Sequence, residues 1–345
     1  MKVLDKFFKK YSYKFDKGYP DMNNEQDILL LESLLHELEI NLGEEADLEN
    51  INEDTKASAT LFESALVKAW YELKDKEVPE GNAPSKDLNA LTPEMIENAK
   101  NILIQTKLTG GSEAYQLGSA SAGLSNFWQS HGAINKTPKT DIVIDNKKIS
   151  LKVGPSQLMS GAGKELTATF YTALKNTPGV QRELVDDIAK SIKDVFVKGT
   201  TKQGNVRQAK KSGDDPILNK AVDEMGKLKI RISDFLENNK DFKTAFAYEA
   251  ATGKEKFGDN EGTADYILSI SENYKNGVLK PIDTKYASTI ADKIKLDISM
   301  KSGSQKLKGI KTGRYNYYTV LRAGLEDLFK DASDDISIET DISFE

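Results

Sequence analysis

Not one cysteine stands among the 345 residues, and there are only two histidines, His36 and His131. The first absence removes disulfides, thiol nucleophiles and cysteine-built zinc sites, and it fits a chain with no need of an oxidising compartment. The second leaves too few imidazoles for a zinc enzyme. Any metal is therefore expected to be hard and oxygen-bound, with magnesium as the default. Long apolar runs are also missing: nothing approaches the roughly 18–20 residues that span a bilayer, so no membrane partner is expected. The basic, aromatic start MKVLDKFFKKYSYKF lacks the apolar core and cleavage site of a secretory signal. No P-loop or GxSxG elbow occurs, and GSASAG falls inside an expected helix instead of forming a phosphate cradle.

Positive charge is locally scarce although the net charge is only −6. Between Gly18 and Thr55 there are twelve acidic residues and no Lys or Arg, and the tail DASDDISIETDISFE is purely acidic. Lys193 to Lys211 and Lys301 to Arg314 are basic by contrast. Such stretches are either solvated faces or contacts to phosphates. KTGRYNYYTVLRAG interleaves Arg314 and Arg322 with Tyr315, Tyr317 and Tyr318. That pattern suits a half-buried element as well as stacking on nucleic acid.

The first ninety residues read as helical. Ile28, Leu31, Leu34, Leu35, Leu38 and Leu42 recur near a 3.6-residue period, with His36 among them as packing or surface. TKASATLFESALVKAWYELKD is a second amphipathic helix, and VPEGNAPSKD, near residues 78 to 87, is a linker candidate. Thr92-Pro93 opens another helix that ends near Gly110-Gly111. Ser112 can cap a further helix, SEAYQLGSASAGLSNFWQS. DIVID and KKISLKVG then read as two strands with a turn at Asn146-Lys147, followed by a Gly/Ser loop and a helix. The expected divisions are 1–90, a helical region; 91–215, the core; and 216–345, a C-terminal region.

In the hairpin TPKTDIVIDNKKISLKVG, Asp141 starts one strand and Lys152 lies near the end of the next. The two can converge at one sheet edge. A carboxylate there binds Mg²⁺, and a lysine beside it can position or deprotonate an attacking water and stabilise charge on a phosphate.

With Pro138 just before the aspartate, this spacing resembles the PD-(D/E)XK nuclease superfamily over roughly residues 110 to 175. The resemblance implies an α/β fold: a restriction-endonuclease-like mixed sheet flanked by helices, with Asp141 as motif aspartate and Lys152 as motif lysine. Two positions before the lysine, where the family usually carries Glu, Asp or Gln, stands Ser150. A hydroxyl is a poor metal ligand, so a second carboxylate must come from elsewhere. The family often places a glutamate on the helix before the first strand, and Glu113 is the candidate to join Asp141 on Mg²⁺ or Mn²⁺. Gln157 and Glu165 are candidates for polar roles nearby, with Ser150 or Gln157 orienting groups by hydrogen bonding.

A similar order recurs downstream and raises a second, diverged copy of the core. FKTAFAYEAATGKEKFG carries Glu249 near a helix end, GTADYILSI carries Asp265 near its start, and KIKLDISMKSGSQ carries Ser299 and Lys301. A helical insertion near Thr284 to Lys293 would have to separate those two strands.

The leading expectation is a Mg-dependent endonuclease hydrolysing DNA. Two others stay open: a non-catalytic phage virion or assembly protein on a nuclease-like fold, and a DNA-binding module without cleavage. The cysteine-free, lysine-rich texture looks like a phage-encoded protein, which implies host cytoplasm or virion and phage structural proteins as further partners. A homo-oligomer is also open, because one centre cuts one strand.

Overall fold

The structure, a computed structural model, describes residues 49–117, 122–161, 163–195, 198–201, 216–306 and 315–330. The chain divides into compact units of residues 1–60 and 61–345, and the strands of the described residues all lie in the second. The expected helix over Ile28 to Leu42, with His36, lies outside the described residues, as does the acidic tail. No helix of the described residues is long and apolar enough to cross a membrane.

Helix α1 (Glu49–Glu72) follows from the spacing of its apolar residues: Phe62, Leu66, Ala69 and Trp70 recur at helical intervals and are fully buried. Trp70 Nε1 donates to the carbonyl of Gly110 at 3.0 Å. The segment expected as a linker holds the short α2 (Ser85–Leu88) and is pinned to its surroundings. Asn82 Nδ2 donates to Tyr71 Oη and to the Ala114 carbonyl, while its own carbonyl accepts from Gln116 N. Helix α3 (Pro93–Gln105) opens as its sequence dictates, with Thr92 Oγ1 accepting from Met95 N and Pro93 in the first turn.

From there the order is β1 (Ala114–Gln116), α4 (Asn126–Ser130), β2 (Ile142–Ile144), β3 (Lys147–Val153), β4 (Ser156–Gly161), α5 (Gly163–Lys175), α6 (Arg182–Val195) and β5 (Lys198–Thr201). Then come α7 (Pro216–Asn238), α8 (Lys240–Thr252), α9 (Lys254–Phe257), β6 (Tyr266–Ile270), β7 (Gly277–Pro281), α10 (Thr284–Lys293), β8 (Ile294–Lys306) and β9 (Tyr315–Leu325). The helix expected from Ser112 is replaced by β1 and the short α4. Ala114-Tyr115-Gln116 pairs with β2, and the Gly/Ser run after it has little helix propensity to resist that pairing. The Gly/Ser loop expected after Val153 is likewise a strand, β4, because β9 supplies it with partners.

A mixed five-stranded sheet runs in the order β1-β2-β3-β6-β7, and only the β3–β6 pair is parallel. The β2–β3 turn falls on Asp145 (φ 53) and Asn146 (φ 60), one residue earlier than Asn146-Lys147. Two successive left-handed residues make the tight hairpin turn that matches strand twist, and Asp and Asn tolerate that conformation. Alternation along β6 gives the sheet two apolar faces. Ile267 joins Phe170, Phe242 and Phe246 from α5 and α8, and Ile102 of α3 packs on Gly277 beside Leu268 on the other face. The protein is thus mixed α/β, with helices on both faces of a mixed sheet.

Strand β9 builds a second sheet, pairing with β8 along its length and with β4 and β5 at successive stretches. This corrects the expected second copy. The helix between its strands does form, as α10, but the strand after Asp265 pairs with β3 and β7 while Lys301 pairs with Tyr318 of β9. The two strands belong to different sheets. The β3–β6 pairing also joins the expected core to the expected C-terminal region, since these hydrogen bonds cross residue 215.

Candidate active site

Asp141 sits just before β2, at a point where β3 continues beyond its partner. Ile142 pairs with Ile149, but β3 runs on to Val153. The Asp141 carboxylate therefore acts as the acceptor that a longer β2 would have supplied. Leu151 N donates to Asp141 Oδ2 at 2.6 Å, and Ser150 Oγ donates to the same oxygen at 3.2 Å. Ser150 thus orients the aspartate. Two residues further along the strand, and so on the same side of it, Lys152 stays half-buried. Its amine forms no hydrogen bond or close ion pair among the described residues. Its parallel-ladder neighbour is Ser269, 2% exposed, whose hydroxyl has no hydrogen-bond partner among them either.

The second carboxylate is Glu63 of α1, only 9% exposed. Gln116 Nε2 donates to Glu63 Oε2 at 2.6 Å, and Ser64 Oγ donates to Gln116 Oε1 at 2.7 Å. Burial, and next the negative charge of Asp141, push the Glu63 carboxyl up to about 8, against the pull of Gln116 and Lys152. Burial also raises Asp141, opposed by Lys152 first and then by the Leu151 and Ser150 hydrogen bonds. Helix, strand entry and strand thereby bring Glu63, Asp141 and Lys152 into one electrostatic field.

Glu113 does not take this place. It precedes β1 on a loop, and its carbonyl accepts from Asp145 N. Antiparallel pairing sets it at the Ile144 end of β2, whereas Asp141 lies at the Ile142 end. That is four residues away, or about 13 Å of strand. The sequence did carry a signal for Glu63: it is an acid inside the buried helical run Phe62 to Val67.

Lys139 approaches from the chain that leads into Asp141. Its Nζ donates to the Leu158 carbonyl at 2.6 Å. Burial, then the charges of Lys256 and Lys152, push the amine down to about 7. Glu249 lies on the far side of this cluster, 2% exposed, and accepts from the backbone of Glu255 at 2.9 Å and Lys256 at 3.0 Å. Burial still raises it to about 7. Glu249 is therefore a cap for α9, and Asp265 pairs with Lys148 at 3.4 Å. Ser299 and Lys301 lie on β8 where side chains fall outside the described residues. Gln157 is half-buried on β4 opposite Gly324 of β9.

Among the described residues, no three acidic or histidine side chains converge as a complete metal cage. Magnesium does not require one: it commonly takes one or two carboxylates and fills its remaining positions with water and substrate phosphate. Asp141 and Glu63 offer oxygen donors of the hard kind that Mg²⁺ or Mn²⁺ takes. No family model, curated protein or solved structure matches this chain.

Proposed function

We propose that the chain is an endonuclease that hydrolyses DNA phosphodiester bonds with Mg²⁺ or Mn²⁺ held by Asp141 and Glu63. The observation that carries this reading is the approach of a buried helical carboxylate to the Asp141–Lys152 hairpin. It supplies the acid that Ser150 withholds. The mixed sheet flanked by helices is also what the PD-(D/E)XK resemblance implied, and a restriction-endonuclease-like core is part of the proposal.

When bound, the cation supplies positive charge to the scissile phosphate. The protein's own groups do the rest. Gln116 fixes the orientation of Glu63, and the Leu151 N–H and Ser150 hydroxyl fix that of Asp141. The uncommitted Lys152 amine is placed to donate to a phosphate oxygen or to accept the proton of an attacking water. Lys139 adds cationic character behind it.

Plasmid cleavage in Mg²⁺ tests this reading, with chelator as control. Glu63→Gln, Asp141→Asn and Lys152→Ala should each reduce cutting by about 10²-fold or more while the fold is kept by circular dichroism. Cleavage that survives all three removes the assignment.

Ser150 favours a second reading, a non-catalytic assembly protein on the same fold, because its hydroxyl occupies Asp141 Oδ2. That protein would show neither cleavage nor a thermal shift with Mg²⁺, and would instead form a stable complex with capsid or tail components.

A further inference from the structure

Ile134 is 83% exposed, the most exposed of the large apolar side chains among the described residues. A lone surface isoleucine needs no explanation. The backbone beneath this one does. Glu165 of α5, 6% exposed, turns its carboxylate outward to the loop: Oε1 accepts from Ile134 N at 3.1 Å and from Asn135 N at 2.9 Å. Its Oε2 accepts from Trp128 Nε1 at 2.8 Å and lies 3.8 Å from the Lys256 amine. Asn135 Oδ1 accepts from Thr137 N, and the Lys139 N–H donates to the Gly262 carbonyl. A buried charge with four partners thus rigidifies a loop that presents an apolar side chain to solvent.

The charges around the loop select the partner. Lys136 and Lys164 are exposed and form no ion pair among the described residues, and Lys164 lies alongside Gly132. Lys175 and Arg182 stand farther along, over the Phe127 and Tyr171 rings that sandwich His131. Glu255 and Asp186 neutralise those two cations, so among the described residues around the loop Lys136 and Lys164 are the cations without an ion-pair partner. From Ile134 the chain reaches Asp141 in seven residues, at most about 25 Å when extended, or about seven base-pair steps.

Resting on the nuclease reading above, we infer that the Ile134 loop is a duplex-DNA contact. Lys136 and Lys164 take backbone phosphates, and the rigidly held Ile134 side chain enters between base pairs as an apolar wedge. A wedge on a fixed loop unstacks a step without first ordering its own backbone. It bends the duplex within a turn of Asp141.

The test uses the full chain, in chelator and at low salt, with duplexes carrying 2-aminopurine at successive positions. Wild type and Lys152→Ala should raise the fluorescence several-fold at one or two positions. Ile134→Ala and Ile134→Ser should lose that rise and Ile134→Leu should keep it. The Lys136→Ala/Lys164→Ala double variant should flatten the salt dependence of binding by a slope of about 2. An unchanged rise in Ile134→Ala, or bound wild type with no rise, overturns the wedge. If wild type also cuts plasmid in Mg²⁺, the nuclease reading survives that failure. If the wedge signal holds but no cutting occurs, the nuclease reading fails alone. Absence of DNA binding in chelator also overturns the wedge, and plasmid cleavage in Mg²⁺ decides the nuclease reading separately.

Discussion

Glu63 and Gln116, far apart in the chain, meet through a 2.6 Å hydrogen bond from Gln116 Nε2 to Glu63 Oε2 inside the protein. The bond ties α1 to β1 and holds the Glu63 carboxylate within the field of Asp141. On the proposed reading, the acid that the motif expects at Ser150 comes from this other element.

Glu63→Gln should therefore reduce cleavage by roughly 10²–10³-fold, the scale of losing one essential electrostatic group. Glu113→Ala, at the other end of β2, should leave cleavage at the wild-type level. Differential scanning with Mg²⁺ gives an independent readout. Saturation at a hundredfold over Kd stabilises by about 2.7 kcal/mol, and Glu63→Gln should lose most of that gain. Equal thermal shifts in the two proteins would remove Glu63 from the cation site.

Glu249 sets a pH dependence. Its folded pKa of about 7 lies above the ordinary 4.5. Between those values the native state keeps a proton that the unfolded chain has released, so stability falls as pH rises from about 4.5 to about 7 and then levels off. Glu249→Gln should flatten that decline. Above the window it should be more stable than wild type by at most about 3 kcal/mol, less whatever the lost second acceptor costs. Lys139 acts in the window above, from about 7 to 10.5, where its depressed pKa adds stability as pH rises. Urea unfolding at about pH 5, about pH 7 and about pH 9 distinguishes the two; a Glu249→Gln profile parallel to wild type would contradict the assignment.

Gly253 joins α8 to α9 with φ 64, and a Cβ there would lie 2.8 Å from Lys139 Cγ and 3.0 Å from Phe257 Cδ2. Gly253→Ala should cost roughly 1–2 kcal/mol in backbone strain alone. It should also lower cleavage by displacing Lys139. Gly258 is the control, since its φ is 70 but nothing lies within 4 Å. With ψ −143 that backbone is one essentially only glycine adopts, so Gly258→Ala should lose at least as much Tm, yet with full activity.

Ser269→Ala removes a buried hydroxyl that has no hydrogen-bond partner among the described residues. Stability should hold or rise by about 1 kcal/mol, because no bond is lost and a desolvated group is removed. A fall of that size in urea unfolding would show that the hydroxyl is partnered.

Local signals carried much of the reading. Thr92 and Pro93 start a helix because cap chemistry is decided within one turn. The Asp141–Lys152 hairpin follows from alternation and a two-residue turn, and even there the turn shifted by one residue to Asp145-Asn146. Ser156 to Gly161 reads as loop because its strand partner, β9, begins more than 150 residues later. The second copy was read from similar strings at Lys152 and Lys301, yet strings cannot say which sheet a strand joins.

The sequence by itself determined the chemical palette: no thiols, two imidazoles, and a hairpin carrying Asp141 and Lys152. Only the tertiary structure decided which acid shares an electrostatic field with that hairpin. Antiparallel pairing carried Glu113 to the wrong end of β2, and packing of α1 against β1 buried Glu63 beside Asp141. Periodicity and spacing report on neighbours a few residues apart. A site assembled from residues 63, 116, 141 and 152 depends on contacts that only the folded core supplies.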